Sequence, residues 1–120
     1  MALFEGPIPA LVTPFTADGQ VNVRLLRELV EWLLAQQAQG FFVNGTSGEG
    51  FLMSFAERQL ALQTVVGQVR RRVPILAHVG ALATADAVAL ARAAAEAGAD
   101  GVSAVPPFYY HVDDTGPVSY

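Results

Sequence analysis

Short apolar runs and longer mixed segments alternate along this chain. The apolar runs cover residues 8–13, 41–43, 74–78 and 101–105, and a proline, asparagine or glycine lies within two residues of the end of each. Continuous apolar runs are typical of strands buried on both faces, whereas half-exposed strands alternate apolar and polar residues. The sequence therefore predicts four strands of a sheet that is covered on both sides.

The segment between the first two runs has the apolar spacing of an amphipathic helix. Charged residues take the intervening positions, which leaves one apolar face. We expect this helix to span residues 23–39, with Asn22 as its N-cap and Gly40 as its C-terminal stop. The apolar positions are Leu25, Leu26, Leu29, Val30, Leu33 and Leu34.

Two further helices are predicted between the later strands. Ser54 and Glu57 have the Ser-x-x-Glu spacing of a capping box, so the second helix should start at Ser54 and run to about Arg71. Thr84 is expected to cap an alanine-rich third helix that ends near Gly98. Strands and helices thus alternate throughout the chain.

The order of elements is βαβαβαβ, followed by the start of a further helix. Asp113 or Asp114 is expected to begin that fourth helix, and the sequence ends at Tyr120, inside it. Strands separated by helices pair in parallel through right-handed crossovers. Two architectures fit this order: an open doubly wound sheet, and part of a (β/α)8 barrel, which needs about 250 residues. A fourth unit that stops inside a helix is expected of a fragment rather than of a complete small domain.

Composition and charge narrow the class of protein. The chain has 120 residues, of which 52% are hydrophobic, so it can fill the core of one small domain. Cysteine is absent, which removes disulfides and thiolate chemistry, and the net charge of −4 disfavours a nucleic-acid partner. No apolar run approaches the roughly 18 residues of a membrane helix, and the first ten residues do not resemble a signal peptide. We expect a cytoplasmic protein without a membrane partner.

Polar residues that could take part in catalysis or binding concentrate after the predicted strands. In parallel α/β folds, the loops at the carboxyl ends of the strands carry the functional groups. Four loops qualify by this rule, and we expect them to meet at one edge of the sheet. They cover residues 13–14, 44–50, 78–80 and 106–111.

The loop at residues 45–50 is rich in glycine and hydroxyl groups. Its backbone N–H groups and the hydroxyls of Thr46 and Ser47 can bind an anion, although a purely structural turn fits the pattern as well. The glycine order G-x-x-G-x-G is not the dinucleotide fingerprint, and no lysine follows as in a P-loop, so a nucleotide-binding domain is disfavoured. Glu49 is either an acid or base, or a side chain that holds backbone N–H groups.

Two adjacent tyrosines and two histidines offer groups for proton transfer. A tyrosine hydroxyl has an ordinary pKa of about 10, so Tyr109 and Tyr110 either belong to a hydrogen-bond network that moves protons or pack at an interface. His78 is either a general base or a hydrogen-bonded structural histidine. Neither His78 nor His111 has a second ligand at metal-binding spacing, so no metal site is predicted.

Taken in order, several short motifs resemble the dihydrodipicolinate synthase / N-acetylneuraminate lyase family. The motifs at residues 77–80 and 102–110 are more similar to N-acetylneuraminate lyase than to the lysine-pathway synthase. The Thr46-Ser47 order differs from the Ser-Thr and Thr-Thr orders common in the family, but both hydroxyls are kept. The motifs are Leu11-Val12-Thr13-Pro14-Phe15, Asp18-Gly19, Gly45-Thr46-Ser47-Gly48-Glu49, Ser54-x-x-Glu57-Arg58, Ala77-His78-Val79-Gly80, Gly98-Ala99-Asp100-Gly101 and residues 102–110.

The resemblance implies a barrel enzyme of which this chain is one half. Residues 1–120 would be the N-terminal half of the (β/α)8 barrel, comprising its first four βα units with the fourth helix truncated. Members of the family are class I aldolases and related lyases, which bind pyruvate or a sugar acid as a Schiff base on a lysine. The resemblance implies no cofactor and no metal.

The resemblance also assigns roles to individual residues. Thr46 and Ser47 would hold the keto-acid carboxylate, and Thr46 would join a proton relay. Tyr110 would be the catalytic tyrosine that reaches across a tight dimer interface, where Tyr109 would pack, so a homo-oligomer is implied.

The Schiff-base lysine itself is missing from this sequence. In the family it lies on the sixth strand, and a second catalytic tyrosine lies on the fifth, so both would follow residue 120. The chain contains no lysine, since its seven basic residues are all arginines. We therefore expect the chain alone to be inactive. The alternative function is a non-catalytic half-barrel module that binds a small anion or a partner chain.

Overall fold

Three parallel strands and three α-helices alternate along the described part of the chain. The structure is a computed structural model that describes residues 6–104. A single 3-10 turn, Gly50–Leu52, follows the first strand. The elements are α1 (Val23–Ala35), β1 (Phe41–Val43), α2 (Phe55–Val69), β2 (Ile75–His78), α3 (Thr84–Ala97) and β3 (Gly101–Ser103).

The strands form one sheet in the order β1-β2-β3, and both pairs are parallel. Val43 is in register with Ala77, and His78 with Ser103, so the carboxyl ends of the three strands lie at one edge. The predicted α/β arrangement with parallel pairing is therefore confirmed for these residues. The predicted fourth helix lies outside the described residues, as does Val105 of the predicted last strand.

The first predicted strand, at residues 8–13, is wrong as a regular strand. This segment lies beside β1 but forms only one isolated parallel bridge, between Ala10 and Phe42. The amide of Leu11 donates to the Phe42 carbonyl at 2.9 Å, and the amide of Phe42 donates to the Pro9 carbonyl at 3.0 Å. Pro9 has no amide to donate, so the ladder cannot continue through it. The segment is in the predicted place, but without the predicted regularity.

Helix α1 begins where the sequence predicts and ends earlier. The Asn22 side chain accepts a hydrogen bond from the Leu25 amide at 3.0 Å, which confirms the N-cap. The helix ends at Ala35 rather than at residue 39, because Gln37 adopts a left-handed conformation with φ 68°. The amide of Ala38 then donates to the Leu33 carbonyl, which closes the helix end. Gly40 is therefore not the stop that the sequence predicts.

Helix α2 confirms the predicted capping box. The Ser54 hydroxyl accepts from the Glu57 amide, and the Glu57 carboxylate accepts from the Ser54 amide. The helix ends at Val69 instead of near Arg71, because Arg70 and Arg71 both have positive φ.

Helix α3 differs from the prediction at its start. Thr84 is its first helical residue, and Ala83 occupies the N-cap without a side-chain hydrogen bond. The predicted cap by Thr84 is therefore wrong. The predicted end is confirmed, because Gly98 has φ 102° and follows the last helical residue, Ala97.

The core is centred on α2, which packs against α1, α3 and β1. At its rim, the Glu31 carboxylate of α1 accepts hydrogen bonds from Gln68 and from Arg72, each at 2.6 Å. The Arg72 hydrogen bond is the main cause that lowers the pKa of Glu31. The largest fully buried side chains are Leu26, Val30, Phe41, Val65 and Val69.

Within residues 6–104, none of the helices is both long and apolar enough to cross a membrane.

Candidate functional site

The Gly-rich loop, residues 44–50, leaves the carboxyl end of β1 and presents two hydroxyls to solvent. The side chains of Thr46 and Ser47 are exposed, whereas Gly45 and Gly48 on either side are buried. The amide of Glu49 donates to the Thr46 carbonyl, and the amide of Gly50 donates to the Gly45 carbonyl, both at 3.0 Å. The loop thus uses its own backbone to hold a tight turn and leaves both hydroxyls facing outward.

Close backbone contacts explain two of the glycines in this loop. A Cβ atom on Gly50 would lie 1.9 Å from the Asn44 carbonyl oxygen, and one on Gly48 would lie 2.8 Å from the Leu11 carbonyl oxygen. Both contacts are with backbone atoms, which cannot move aside as a flexible side chain can. The glycines at positions 48 and 50 are therefore required by the packing of the loop itself.

Thr13 ties the segment before α1 to the Gly-rich loop. Its hydroxyl is buried and donates to the Gly48 carbonyl at 2.7 Å. The prediction that residues 13–14 share one edge of the sheet with the Gly-rich loop is thereby confirmed.

Asn44 anchors the start of the Gly-rich loop. It is buried and left-handed, with φ 64°, a conformation that asparagine tolerates better than most residues. Its side-chain amide donates to the Arg58 backbone carbonyl at 2.9 Å. The loop is therefore held against helix α2 at the residue where it leaves β1.

Arg58 of α2 is a buried cation between the ends of β1 and β2, with a relative exposure of 5%. Its guanidinium donates to the backbone carbonyls of Gly80 and His78, each at 2.9 Å. A further guanidinium nitrogen contact reaches His78 Nδ1 at 3.3 Å. One side chain thus holds the turn that follows β2.

Arg58 is the residue of this site that the sequence analysis missed, since it served there only as part of a family motif. A signal for it was available in the spacing along α2. Ala61, Leu62 and Val65 lie three, four and seven residues further on and are buried. That spacing puts Arg58 on the inward face of the helix, where an arginine needs several acceptors.

His78 ends β2 as a buried, neutral histidine. Its relative exposure is 4%, and the rings of Phe42 and Phe51 contact it edge to face at centroid distances of 6.2 and 5.1 Å. Burial lowers the pKa of His78, the charge of Arg58 lowers it further, and a hydrogen bond with the Asn44 backbone partly opposes both. Of the two interpretations left open by the sequence, these contacts support the hydrogen-bonded structural histidine.

Glu49 stands apart from this hydrogen-bonded cluster. Its side chain is exposed and makes no capping hydrogen bond to the 3-10 turn that it precedes, and its backbone is left-handed with φ 60°. The interpretation in which the Glu49 carboxylate holds the following backbone N–H groups is not supported.

Several predicted site residues lie outside residues 6–104. These are Tyr109, Tyr110 and His111, together with the prolines that precede them. The structure therefore brings Thr46 and Ser47 together on one loop, while the role of Tyr110 beside them stays a prediction. Among the residues that the structure describes, no group of three His, Cys, Asp or Glu side chains could hold a metal ion.

The motifs and the site geometry can be compared with known proteins. Residues 3–120 match the model of the family described as the dihydrodipicolinate synthetase family. This chain belongs to the dihydrodipicolinate synthetase family. The resemblance drawn from the motifs is thereby confirmed.

Several curated relatives of this family member are N-acetylneuraminate lyases. N-acetylneuraminate lyase 2 of Escherichia coli O6:H1 is 41% identical over 107 residues, which cover 89% of this chain and 35% of that protein. The N-acetylneuraminate lyase of Citrobacter koseri is 43% identical over 106 residues, which cover 88% of this chain and 36% of that protein. The chain thus spans about a third of the length of the curated relatives it matches.

Solved structures of the family share the fold of the chain. YagE, an E. coli K12 prophage protein of the dihydrodipicolinic acid synthase family solved in complex with pyruvate, superposes with a TM-score of 0.93. It is 33% identical, and the match covers 98% of this chain and 40% of YagE. The N-acetylneuraminate lyase of Mycoplasma synoviae gives a TM-score of 0.88 at 34% identity, over 93% of this chain and 39% of that one.

Proposed function

We propose that this chain supplies the keto-acid-binding loops of a class I, Schiff-base lyase or aldolase of the N-acetylneuraminate lyase / dihydrodipicolinate synthase type. The observation that carries the proposal is the pair of exposed side chains with hydroxyls, Thr46 and Ser47, on the Gly-rich loop. The loop that carries them is fixed by hydrogen bonds of Thr13 to Gly48 and of Asn44 to the Arg58 backbone. A carboxylate is stabilised by hydroxyl and backbone N–H donors that are fixed before it arrives. The pyruvate complex of YagE, a family member of the same fold, supports pyruvate as the ligand class.

In this proposal Thr46 and Ser47 bind the carboxylate of pyruvate or of a sugar acid. Thr46 is also part of a proton relay with Tyr110, which reaches into the site of a neighbouring subunit. Forming a Schiff base joins an amine to the keto carbon and releases the keto oxygen as water, so two protons must be carried from the amine nitrogen to that oxygen. Linked hydroxyls can carry them when each lies within hydrogen-bond reach of the next.

The amine must come from residues beyond this chain. The 120 residues contain no lysine, and only a nucleophilic amine can form the Schiff base. We therefore propose that the chain is the N-terminal half of a cytoplasmic (β/α)8 barrel enzyme and is inactive by itself. The first four βα units, the last cut within its helix, would make up this half.

A tight homodimer completes the proposal, with Tyr109 packed at its interface. Beside the Gly-rich loop, Leu52, Phe55 and Leu82 line one apolar groove and are exposed. Leu52 has a relative exposure of 82%, which is costly for a leucine unless another surface covers it. This apolar rim supports an interface close to the site.

The test is to supply the missing half. The chain is fused to the C-terminal part of E. coli N-acetylneuraminate lyase 2, which follows the matched segment, and is treated with pyruvate and borohydride. We expect a trapped pyruvate adduct in the fusion and none on any side chain of the 120-residue chain. Mass spectrometry measures both.

Two variants of the fusion serve as controls for the assigned roles. Changing Thr46→Val together with Ser47→Ala should abolish trapping, whereas Tyr110→Phe should lower kcat by about 10²-fold while trapping persists. A folded fusion that binds pyruvate without trapping it would favour the non-catalytic anion-binding module. Trapping at wild-type levels in the double variant would remove the Gly-rich loop from the site.

A further inference from the structure

We propose that Arg58 is the positioning residue of this site, which locks the Gly-rich loop after β1 to the turn after β2 and so fixes where Thr46 and Ser47 stand. The inference rests on the proposed function only for what those two hydroxyls bind. The locking itself follows from contacts made by the guanidinium on one side and by the Arg58 backbone on the other.

Arg58 bonds to both loops at once. On the β2 side, its guanidinium donates to the Gly80 and His78 carbonyls. On the β1 side, its backbone carbonyl accepts from the Asn44 side chain, one residue before the Gly-rich turn begins. Burying a guanidinium is unfavourable unless good acceptors compensate for its lost hydration. An apolar residue of similar size would therefore serve better at this position if packing were its only role.

The contact with Arg58 determines which ring nitrogen of His78 carries the proton. A guanidinium is always protonated and can only donate, so the contact of 3.3 Å makes His78 Nδ1 the acceptor. The ring proton of the neutral histidine must then sit on Nε2. His78 also contacts the Phe42 ring edge to face, and that ring packs against Gly45 in the Gly-rich loop. The guanidinium of Arg58 therefore reaches the loop through His78 and Phe42.

Asn44 is in close contact with the far end of the turn that carries the Thr46 and Ser47 hydroxyls. The Asn44 carbonyl oxygen packs so closely against Gly50 that even a Cβ atom there would lie 1.9 Å from it. A displacement of Asn44 is therefore passed to both ends of the turn that carries Thr46 and Ser47. Catalysis is sensitive to such displacements, since a shift of about 1 Å can cost roughly 10²-fold in rate.

Hydrogen exchange of the 120-residue chain tests the lock directly. The variants are Arg58→Met, Arg58→Lys and the matched control Arg92→Met, which changes an exposed arginine of α3. Without the guanidinium's hydrogen bonds, the turn after β2 and the His78 and Phe42 rings that pack behind Gly45 should loosen, so amide exchange in residues 45–50 should be about tenfold or more faster in Arg58→Met. Exchange in the core of α2, at residues 61–69, should stay within about twofold of wild type. The control should match wild type at both places.

The lysine variant separates charge from geometry. Lysine keeps the positive charge but cannot bridge several acceptors as a planar guanidinium does. Arg58→Lys should therefore leave residues 45–50 exchanging faster than in wild type. Full rescue by lysine would overturn the proposal, because a point charge would then be sufficient.

The ring of His78 supplies a second readout, since the chain has only two histidines to label with ¹⁵N. In wild type we expect an unprotonated Nδ1, a protonated Nε2 and a ring that stays neutral to a lower pH than a free histidine does. In Arg58→Met the fixed tautomer should be lost, and the His78 pKa should rise because the nearby charge is gone. Arg58→Lys should lose the tautomer preference but keep more of the lowered pKa.

The outcomes that overturn the proposal are distinct. Wild-type exchange at residues 45–50 in Arg58→Met would show that the loop does not depend on Arg58. An equal loss of protection throughout the chain, or unfolding of both variants, would show a role in general stability instead. Neither readout uses a keto acid, so a failure of the proposed enzymatic function would leave both measurements unchanged.

Discussion

At the residue scale, the site depends on side chains and glycines that are fitted to backbone atoms. Gly50 faces the Asn44 carbonyl, and His78 is enclosed by Phe42, Phe51 and Arg58. Such positions tolerate little change in volume or charge, because their neighbours are backbone groups or buried rings.

Gly50→Ala should destabilise the chain, whereas Gly67→Ala should stabilise it. The new methyl group at position 50 would meet the Asn44 carbonyl, and overpacking of this kind costs about 1–3 kcal/mol. Gly67 lies in α2 with open space around it, so alanine there should add about 0.5–1 kcal/mol. Chemical unfolding of both variants measures the difference. If Gly50→Ala were as stable as the unchanged chain, the loop could shift to accept the methyl group without a cost in stability.

Acid should weaken the fold through His78. Because the pKa of His78 is lowered in the folded state, the unfolded chain binds more protons as the pH falls below about 6.5. Stability from this group is present above pH 6.5 and is lost as the pH decreases through that value towards the folded pKa. His78→Gln should flatten the curve of unfolding free energy against pH in this window. An unchanged slope would show that another group causes the acid sensitivity.

At the element scale, local signals predicted the starts of helices better than their ends. The caps at Asn22 and Ser54 act through side chains within three residues, so the sequence contains the whole interaction. The end of α1 depends on the left-handed conformation of Gln37, and a glutamine in the sequence does not indicate that conformation. The pairing of residue 10 with β1 does not continue into a ladder, because Pro9 has no amide to donate. The position of the Arg58 side chain depends on carbonyls twenty or more residues away. These features arise from tertiary contacts, which local patterns do not reveal.

Gln37→Gly should stabilise the end of α1. A left-handed residue with a side chain is strained by about 1 kcal/mol relative to glycine, and glycine relieves this strain. Gln36→Gly is the matched control, because Gln36 has φ −85° and gains nothing from glycine. We expect the melting temperature to rise in the first variant and to fall in the second. A fall in both would mean that the Gln37 conformation carries no strain.

At the scale of the whole molecule, the described sheet has two open sides. Residues 8–13 border β1 with a single bridge, and β3 forms the other border, where Val102 is exposed. Unpaired strand edges and exposed apolar side chains both promote association between chains. A (β/α)8 barrel would close both sides, which agrees with the proposal that this chain is half of one.

We therefore expect the 120-residue chain to self-associate. Its net charge of −4 provides little repulsion, and the groove lined by Leu52 and Leu82 offers an apolar contact near the site. Sedimentation velocity at several concentrations should show oligomers or aggregates. Changing both leucines to glutamate should weaken the association, whereas Trp32→Glu, at an exposed position of α1 outside that groove, should not. A concentration-independent monomer near 12.7 kDa that unfolds cooperatively would show instead that these residues form a self-sufficient domain.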